Sequence, residues 1–255
     1  MKYALLNGVY VTATPHQKDA ICPLCKSEVV AKCGAIKVHH WAHKKGNPCD
    51  SWREADSEWR HRWLEHFVDC DVEAIIENNG TRHFADIKTK NGTTVLLRRG
   101  RVKETELRKM EDFFEGLVWI VDLSANKRAA IKLRNAIRDR TIHKVFKNAY
   151  RTFGGLGIGI PDDWSRNRYP VIFDFSGVED VPQFISKYMW CLMPYEENSL
   201  VYDRFLLRYT KEKMLELLSV RELTSVIDVQ RTVSQLNKDY LESTKSNRLL
   251  RQDWV

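Results

Sequence analysis

Cys22-Pro23-Leu24-Cys25, then His39-His40-Trp41-Ala42-His43 and Cys49, place seven sulfur or imidazole groups within 28 residues once Cys33 is counted. The whole 255-residue chain has only six cysteines and eight histidines. A CxxC turn lets two thiolates meet one metal ion, and His or Cys ligands returning about 15 residues later close a tetrahedron. Zinc suits such a mixed site, being borderline-soft and without a d-electron geometric preference. Cys22 and Cys25 form the primary pair. The other two ligands come from His40, His43 and Cys49; His39 is spare, and Cys33, between Lys32 and Gly34, reads as an ordinary small side chain. Nothing downstream carries metal-activating geometry. The zinc is therefore expected to be structural, tying down a module too short to build its own core.

Around this module the chain is long enough for more than one domain, with eight tryptophans as large burial surfaces. No run of about 18 apolar residues occurs, so no membrane span is expected. Residues 1–6 lack the long apolar run and small-residue cleavage site of a secretory signal. Cysteines arranged for metal fit a reducing compartment, and a cytoplasmic location is expected.

The formal charge is +7, and the excess is uneven. Between Lys127 and Arg151 nine Lys or Arg face one acid, Asp139. A second knot is Arg98-Arg99-Gly100-Arg101-Val102-Lys103. Such clusters are the electrostatic footprint of a polyanion binder, because each neutralised phosphate releases a counterion; the plainer alternative is a solvated helix face. Beside a zinc module, nucleic-acid contact is the expectation for Arg98, Arg99, Arg101, Lys103, Lys132, Arg134, Arg138 and Lys144. No membrane partner is expected; a protein partner or a second copy of the chain remains open.

Residues 1–20 read as a strand or hairpin. Residues 52–69 read as a helix, with Trp59, Trp63 and Phe67 forming one aromatic stripe at four-residue spacing. A strand over 71–77 leads to the hairpin signal Asn78-Asn79-Gly80, a second strand over 83–88, the turn Lys90-Asn91-Gly92 and a third strand over 93–98. Helical character over 104–114 precedes the apolar run Leu117-Val118-Trp119-Ile120-Val121-Asp122, which suits a buried strand. A basic helix over about 125–150 follows. The glycines from Gly154 to Gly159 do not join a strand to a helix within a βαβ unit and read as a connector. Strands are expected at 169–175 and 188–194, and helix over the final 50 residues, with a frayed tail at 244–255. Cys70 and Cys191 read as core thiols, and no P-loop or nucleophile-elbow motif occurs.

Taken together, these pieces resemble the competence protein CoiA-like nucleases. In that family a CxxC segment with an H-[FW]-A-H motif precedes a nuclease domain of the restriction-endonuclease-like PD-(D/E)XK fold. The matching pieces are Cys22 to Cys25, His40-Trp41-Ala42-His43, Cys49-Asp50-Ser51-Trp52, Ser57-Glu58-Trp59, His83-Phe84-Ala85-Asp86-Ile87 and Val118 to Asp122. The resemblance covers roughly the first half of the chain. With the element order it predicts an α+β protein: a zinc module over 1–50 and a nuclease-like mixed sheet flanked by helices over 51–152, followed by an α/β region over 160–255 that the resemblance does not reach.

Phosphodiester hydrolysis with Mg²⁺ or Mn²⁺ requires hard oxygen ligands converging beside the scissile phosphate. The resemblance assigns Glu58 and Asp86 to two of these positions; Lys88, two residues past Asp86, is a further catalytic candidate as the accompanying cation. The third strand departs from the pattern: Leu96 and Arg98 stand where Glu-x-Gln is expected, and Arg60 and Leu64 replace the family's His and Lys on the first helix. Losing a carboxylate and gaining a cation both oppose divalent-metal binding. Three functions follow: a DNA-binding protein with a degenerate nuclease site, an active nuclease recruiting Glu104 or Glu106 with Lys88 or Lys109, or a protein-interaction adaptor.

Overall fold

A computed structural model describes residues 1–44, 46, 49–145, 148–152, 158–194 and 204–219, with 231, 234–236, 238, 239 and 242. Strands β1 (Tyr3–Leu6) and β2 (Val9–Thr12) form a hairpin whose two-residue turn, Asn7-Gly8, has φ of 51° and 80°. Both values are positive, the geometry that matches the twist of paired strands and favours Asn-Gly. Strands β3 (Val29–Lys32) and β4 (His40–His43) form a second antiparallel pair.

Helix α1 (Glu58–Glu65) is shorter than the 52–69 expected. Ser57 is extended and its hydroxyl accepts the Arg60 N–H, so the helix cannot begin earlier. The residues ahead of it are held by other partners: Trp52 stacks on His83, and Arg53 binds Asp56. Strands β5 (Asp71–Asn78) and β6 (Thr81–Lys88) then pair around Asn79-Gly80, with φ of 48° and 73°. The hairpin read from the sequence is present there.

β7 (Thr94–Arg98), α2 (Glu104–Phe113) and β8 (Leu117–Asp122) follow, then α3 (Lys127–Arg138), β9 (Ile142–Lys144) and β10 (Ala149–Thr152). The basic helix thus ends at Arg138 rather than near 150. Arg140, at φ 59°, turns the chain back into two strands. β11 (Val171–Asp174), α4 (Gln183–Ser186), β12 (Met189–Leu192), β13 (Phe205–Tyr209) and α5 (Lys211–Ser219) complete the described elements. The start of the final 50 residues is therefore strand. Residues 154–157, Lys147 and the tail at 244–255 lie outside the described residues.

The fold is α+β. One mixed sheet has the order β5-β6-β7-β8-β11-β12-β13-β10-β9, parallel only across β7, β8 and β11. Strands from both sides of residue 152 share it, since β10 pairs with β13. β8 is buried at all six positions because helices cover both faces. Leu117, Trp119 and Val121 meet α2 and α3, while Val118 and Ile120 meet α1 and α5. Gly159 packs where a Cβ would lie 2.4 Å from that of Ala136 on α3, so only glycine fits.

The N-terminal module has a small core of its own: Met1, Ala4, Ala13, Ala20, Cys22, Leu24, Val29 and Trp41, closed by Phe84 from the large sheet. Four of these are alanine or cysteine. Little apolar area is available, and a second source of stability is needed.

Candidate functional site

The CxxC turn is shaped by its backbone. Cys22 N–H donates to the Ser27 carbonyl at 2.8 Å, Lys26 N–H donates to the Cys22 carbonyl at 2.9 Å, and Lys26 adopts a φ of 62°. β4 brings His43 beside this turn, and the chain returns with Cys49. The donor atoms of Cys22, Cys25, His43 and Cys49 all lie within 4.8 Å of one another. Cys22 Sγ is 3.7 Å from Cys49 Sγ, and Cys25 Sγ is 3.3 Å from His43 Nε2. Tetrahedral zinc with bonds of about 2.3 Å to sulfur and 2.05 Å to nitrogen has edges of about 3.8 Å and 3.5 Å. The donor set is compatible with a structural zinc.

His40 stays outside this group. Three residues apart on one strand, His40 and His43 occupy opposite faces. His40 Nδ1 instead lies 2.8 Å from the Val38 carbonyl.

The thiols show why a cation suits the site. Burial pushes Cys22 up, and burial together with the neighbouring Cys22 sulfur pushes Cys49 up. Burial also acts to raise Cys25, but hydrogen bonds from Ser27, His43 and Cys49 outweigh it and bring it down to about 6. One thiolate forms readily while its neighbours resist. A divalent ion lets all three ionise.

A second cluster lies inside the molecule, where α1 crosses β5 and β6. The Arg60 guanidinium is 1% exposed and bridges three carboxylates from three segments. Its Nε and Nη2 lie 2.8 and 2.6 Å from Asp86 Oδ1, and Nη1 lies 3.2 Å from Asp56 and 3.1 Å from Glu73. Arg53 reinforces the group, 3.1 Å from Asp56 and 2.5 Å from Glu73. Burial would raise the Asp56 carboxyl, but the His61 hydrogen bond, Arg53, the main-chain amine of Met1 and Arg60 hold it well below the usual range. Arg53 and Arg60 likewise outweigh burial at Glu73 and hold it low. Glu73 sits at φ 54°, a position that costs a non-glycine residue about 1–3 kcal/mol and that such surroundings maintain.

Asp86 has both oxygens engaged. The β6–β7 ladder stops at Ile87 opposite Val95, and Asp86 Oδ2 accepts the freed Leu97 N–H at 2.7 Å. Glu58 lies apart, 76% exposed, paired with Arg62 at 2.9 Å. Lys88 Nζ donates to the Gly92 carbonyl and the Thr94 hydroxyl, each at 2.9 Å. Of the three catalytic candidates, Asp86 alone enters this buried cluster.

Residues 10–51 match the family described as Competence protein CoiA, N-terminal domain. Over this segment the chain is CoiA-like. The match contains all four clustered donors and ends ahead of the large sheet. Comparison with curated proteins and with solved structures returned no match.

The CoiA-like segment is fastened to the sheet directly behind its last donor. Asp50 accepts the Phe84 N–H at 2.7 Å and lies 2.9 Å from His83 Nδ1, while Trp52 stacks on His83 with ring centroids 3.6 Å apart. Arg82 donates to the Leu24 carbonyl at 2.7 Å, and Glu73 accepts the Lys2 and Tyr3 N–H groups. Sequence reasoning gave no role to Asp50 or Glu73, whose partners lie on distant segments, nor to Asp56, whose neighbours Arg53 and Arg60 read as ordinary local charges. Asp174, whose partners are also distant, was missed as well; it accepts both indole N–H groups of Trp59 and Trp63 at 2.9 Å.

The expected nucleic-acid contacts divide. Arg98 is 2% exposed, over the Trp119 ring and donating to the Leu97 carbonyl, so it reaches no surface. Arg99 is bound to buried Asp122 at 2.8 Å. Arg101 and Lys103 are exposed beyond β7, and Lys144 is exposed on β9. On α3, Ala129, Ala130, Leu133, Ala136 and Ile137 are buried while Lys127, Arg128 and Arg138 are exposed. Lys132 pairs with Asp162, and Arg134 reaches the Asp180 carbonyl. Among the described residues, no helix is long and apolar enough to cross a membrane.

Proposed function

We propose that the protein is a CoiA-like nucleic-acid-binding protein, with DNA as the principal ligand, whose nuclease-like carboxylate Asp86 serves structure rather than phosphodiester cleavage. The observation supporting this most strongly is the Arg60 guanidinium among Asp56, Glu73 and Asp86. Metal-dependent hydrolysis needs carboxylate oxygens free to converge on a divalent ion. Here a permanently charged cation and a backbone N–H hold the Asp86 oxygens. Glu58 faces solvent, and Leu96 and Arg98 supply no carboxylate to the neighbouring strand.

Cys22, Cys25, His43 and Cys49 would hold one zinc with every coordination position filled by protein. Such an ion contributes folding free energy and leaves no open position for substrate.

Binding is assigned to the solvent face of α3, where Lys127, Arg128 and Arg138 project beside Lys132 and Arg134. A regular row of cations positions phosphates without reading base identity, so affinity should depend steeply on salt and weakly on sequence. The test is fluorescence anisotropy with labelled DNA across a salt series, comparing wild type with Lys127→Glu/Arg138→Glu. The variant should bind on the order of tenfold more weakly, with a salt slope reduced by about two. Unchanged affinity and slope in a folded variant would remove α3 from the interface. Association with a protein that is insensitive to salt would favour the adaptor alternative.

A further inference from the structure

Beyond the exposed face of α3 the surface becomes concave. A cavity of 240 Å³ is lined by Arg101, Asn126, Arg128, Lys132, Asp162 and Asp163. Arg101 stands three residues past the end of β7 at Arg98, and Asn126 four past the end of β8 at Asp122. These strands are parallel, so the cavity opens off their carboxyl ends. In open sheets with parallel strands that is where ligands are bound.

The cavity's chemistry points to an anion. Arg101, Arg128 and Lys132 bring three positive charges from two separate segments. Two of them already hold carboxylates of the turn at 162–164. Lys132 Nζ lies 2.6 Å from Asp162 Oδ1; Arg101 Nη2 and Nε lie 3.2 and 3.4 Å from the two oxygens of Asp163. Among the described residues Arg128 has no ion-pair partner. The two carboxylates mark where anionic oxygens sit. Asp162 is held loosely, 80% exposed; Asp163 is more sheltered at 14%, but its partner Arg101 is 77% exposed. An ion pair with one member so open to solvent contributes little to stability. A phosphate group presents several acceptor oxygens at once and engages Arg128 as well, so it can displace them.

We propose that this cavity is a phosphate subsite of the nucleic-acid interface, in which Asp162 and Asp163 act as internal phosphate mimics that the ligand displaces. The inference rests on the nucleic-acid function assigned above. The phosphate comes either from a strand end or from the backbone.

The test uses the full chain loaded with zinc. Oligonucleotides with and without a 5′-phosphate, and inorganic phosphate alone, are titrated into wild type, Arg128→Ala/Lys132→Ala and Asp162→Asn/Asp163→Asn. A charge-matched control, Glu77→Gln/Glu115→Gln, neutralises two exposed acids elsewhere. The cation variant should bind oligonucleotide about tenfold more weakly, and the Asp162→Asn/Asp163→Asn variant several-fold more tightly than the control. A wild-type preference for the 5′-phosphate that the cation variant loses identifies a strand end as the source. Equal weakening with and without it identifies the backbone. Equal gains in the aspartate variant and its control would overturn the proposal, leaving only net charge. Tight oligonucleotide binding indifferent to Arg128→Ala/Lys132→Ala would overturn the subsite while sparing the nucleic-acid function. Phosphate binding that depends on Arg128 and Lys132 without any oligonucleotide binding would do the reverse. Binding of neither ligand would refute both.

Discussion

Replacing Arg60 by methionine keeps much of the side-chain volume and removes the guanidinium. The three carboxylates around it would be affected unequally. Glu73 keeps Arg53 at 2.5 Å and the Lys2 and Tyr3 N–H groups, and Asp56 keeps Arg53 at 3.1 Å. Asp86 loses two contacts, at 2.8 and 2.6 Å, and retains only the Leu97 N–H. It becomes a buried carboxylate with no countercharge, a situation that destabilises by about 3–5 kcal/mol. Urea unfolding at neutral pH, followed by tryptophan fluorescence, measures it as a fall in the transition midpoint. The double variant Arg60→Met/Asp86→Asn removes the stranded charge while leaving an oxygen for Leu97, and should recover at least half of the loss. A single variant costing less than about 1 kcal/mol would refute the placement of Arg60 as the countercharge of Asp86. So would a double variant no more stable than the single one.

The other predictions concern metal, acid and docking. His43→Ala should abolish stoichiometric zinc in metal analysis of the purified protein, whereas His40→Ala should retain one zinc per chain; the opposite pattern would exchange their roles. Asp56 and Glu73 have folded-state pKa values below their unfolded ones, so the stability they contribute is complete above the ordinary carboxyl range of about 4–4.5 and is lost as pH falls below it. Acid titration of stability should therefore fall more gently below that range in Glu73→Gln than in wild type; identical curves would contradict the assignment. Asp50→Ala leaves the Phe84 N–H buried without its acceptor and removes the anchor of His83, an expected loss of about 1–3 kcal/mol. Hydrogen exchange should show faster exchange at the Phe84 amide, and unchanged protection there would show that Asp50 does not dock the module.

Local features were legible in the sequence. The CxxC turn, the Asn79-Gly80 hairpin, the strand–helix–strand order from β5 to β8 and the apolar run of β8 each follow from residues close together in the chain. The zinc ligands were narrowed to five, and separating His40 from His43 needed only one further fact, that they share a strand. Arg98 misled because its charge sits in a run of cations, whereas its strand is covered on both faces and period-2 alternation puts it against Trp119. Helix α3 was extended too far because the positive charges continue past Arg138 into β9 and β10. The Arg60 cluster was invisible as a unit: Asp56, Glu73 and Asp86 come from a loop and two strands, and only the packing of α1 across the sheet brings them to one guanidinium. The same holds for the sheet order, since β10 beside β13 is a pairing of segments more than 50 residues apart.

The most direct test of Asp86 as a structural rather than catalytic carboxylate is DNA cleavage by the purified, zinc-loaded protein in Mg²⁺ or Mn²⁺, beside an Asp86→Ala control of verified fold. With Arg60 and Leu97 holding its oxygens, the predicted result is DNA binding with no cleavage above that of the control. Cleavage by the wild type that disappears in Asp86→Ala would contradict it and make Asp86 a catalytic residue.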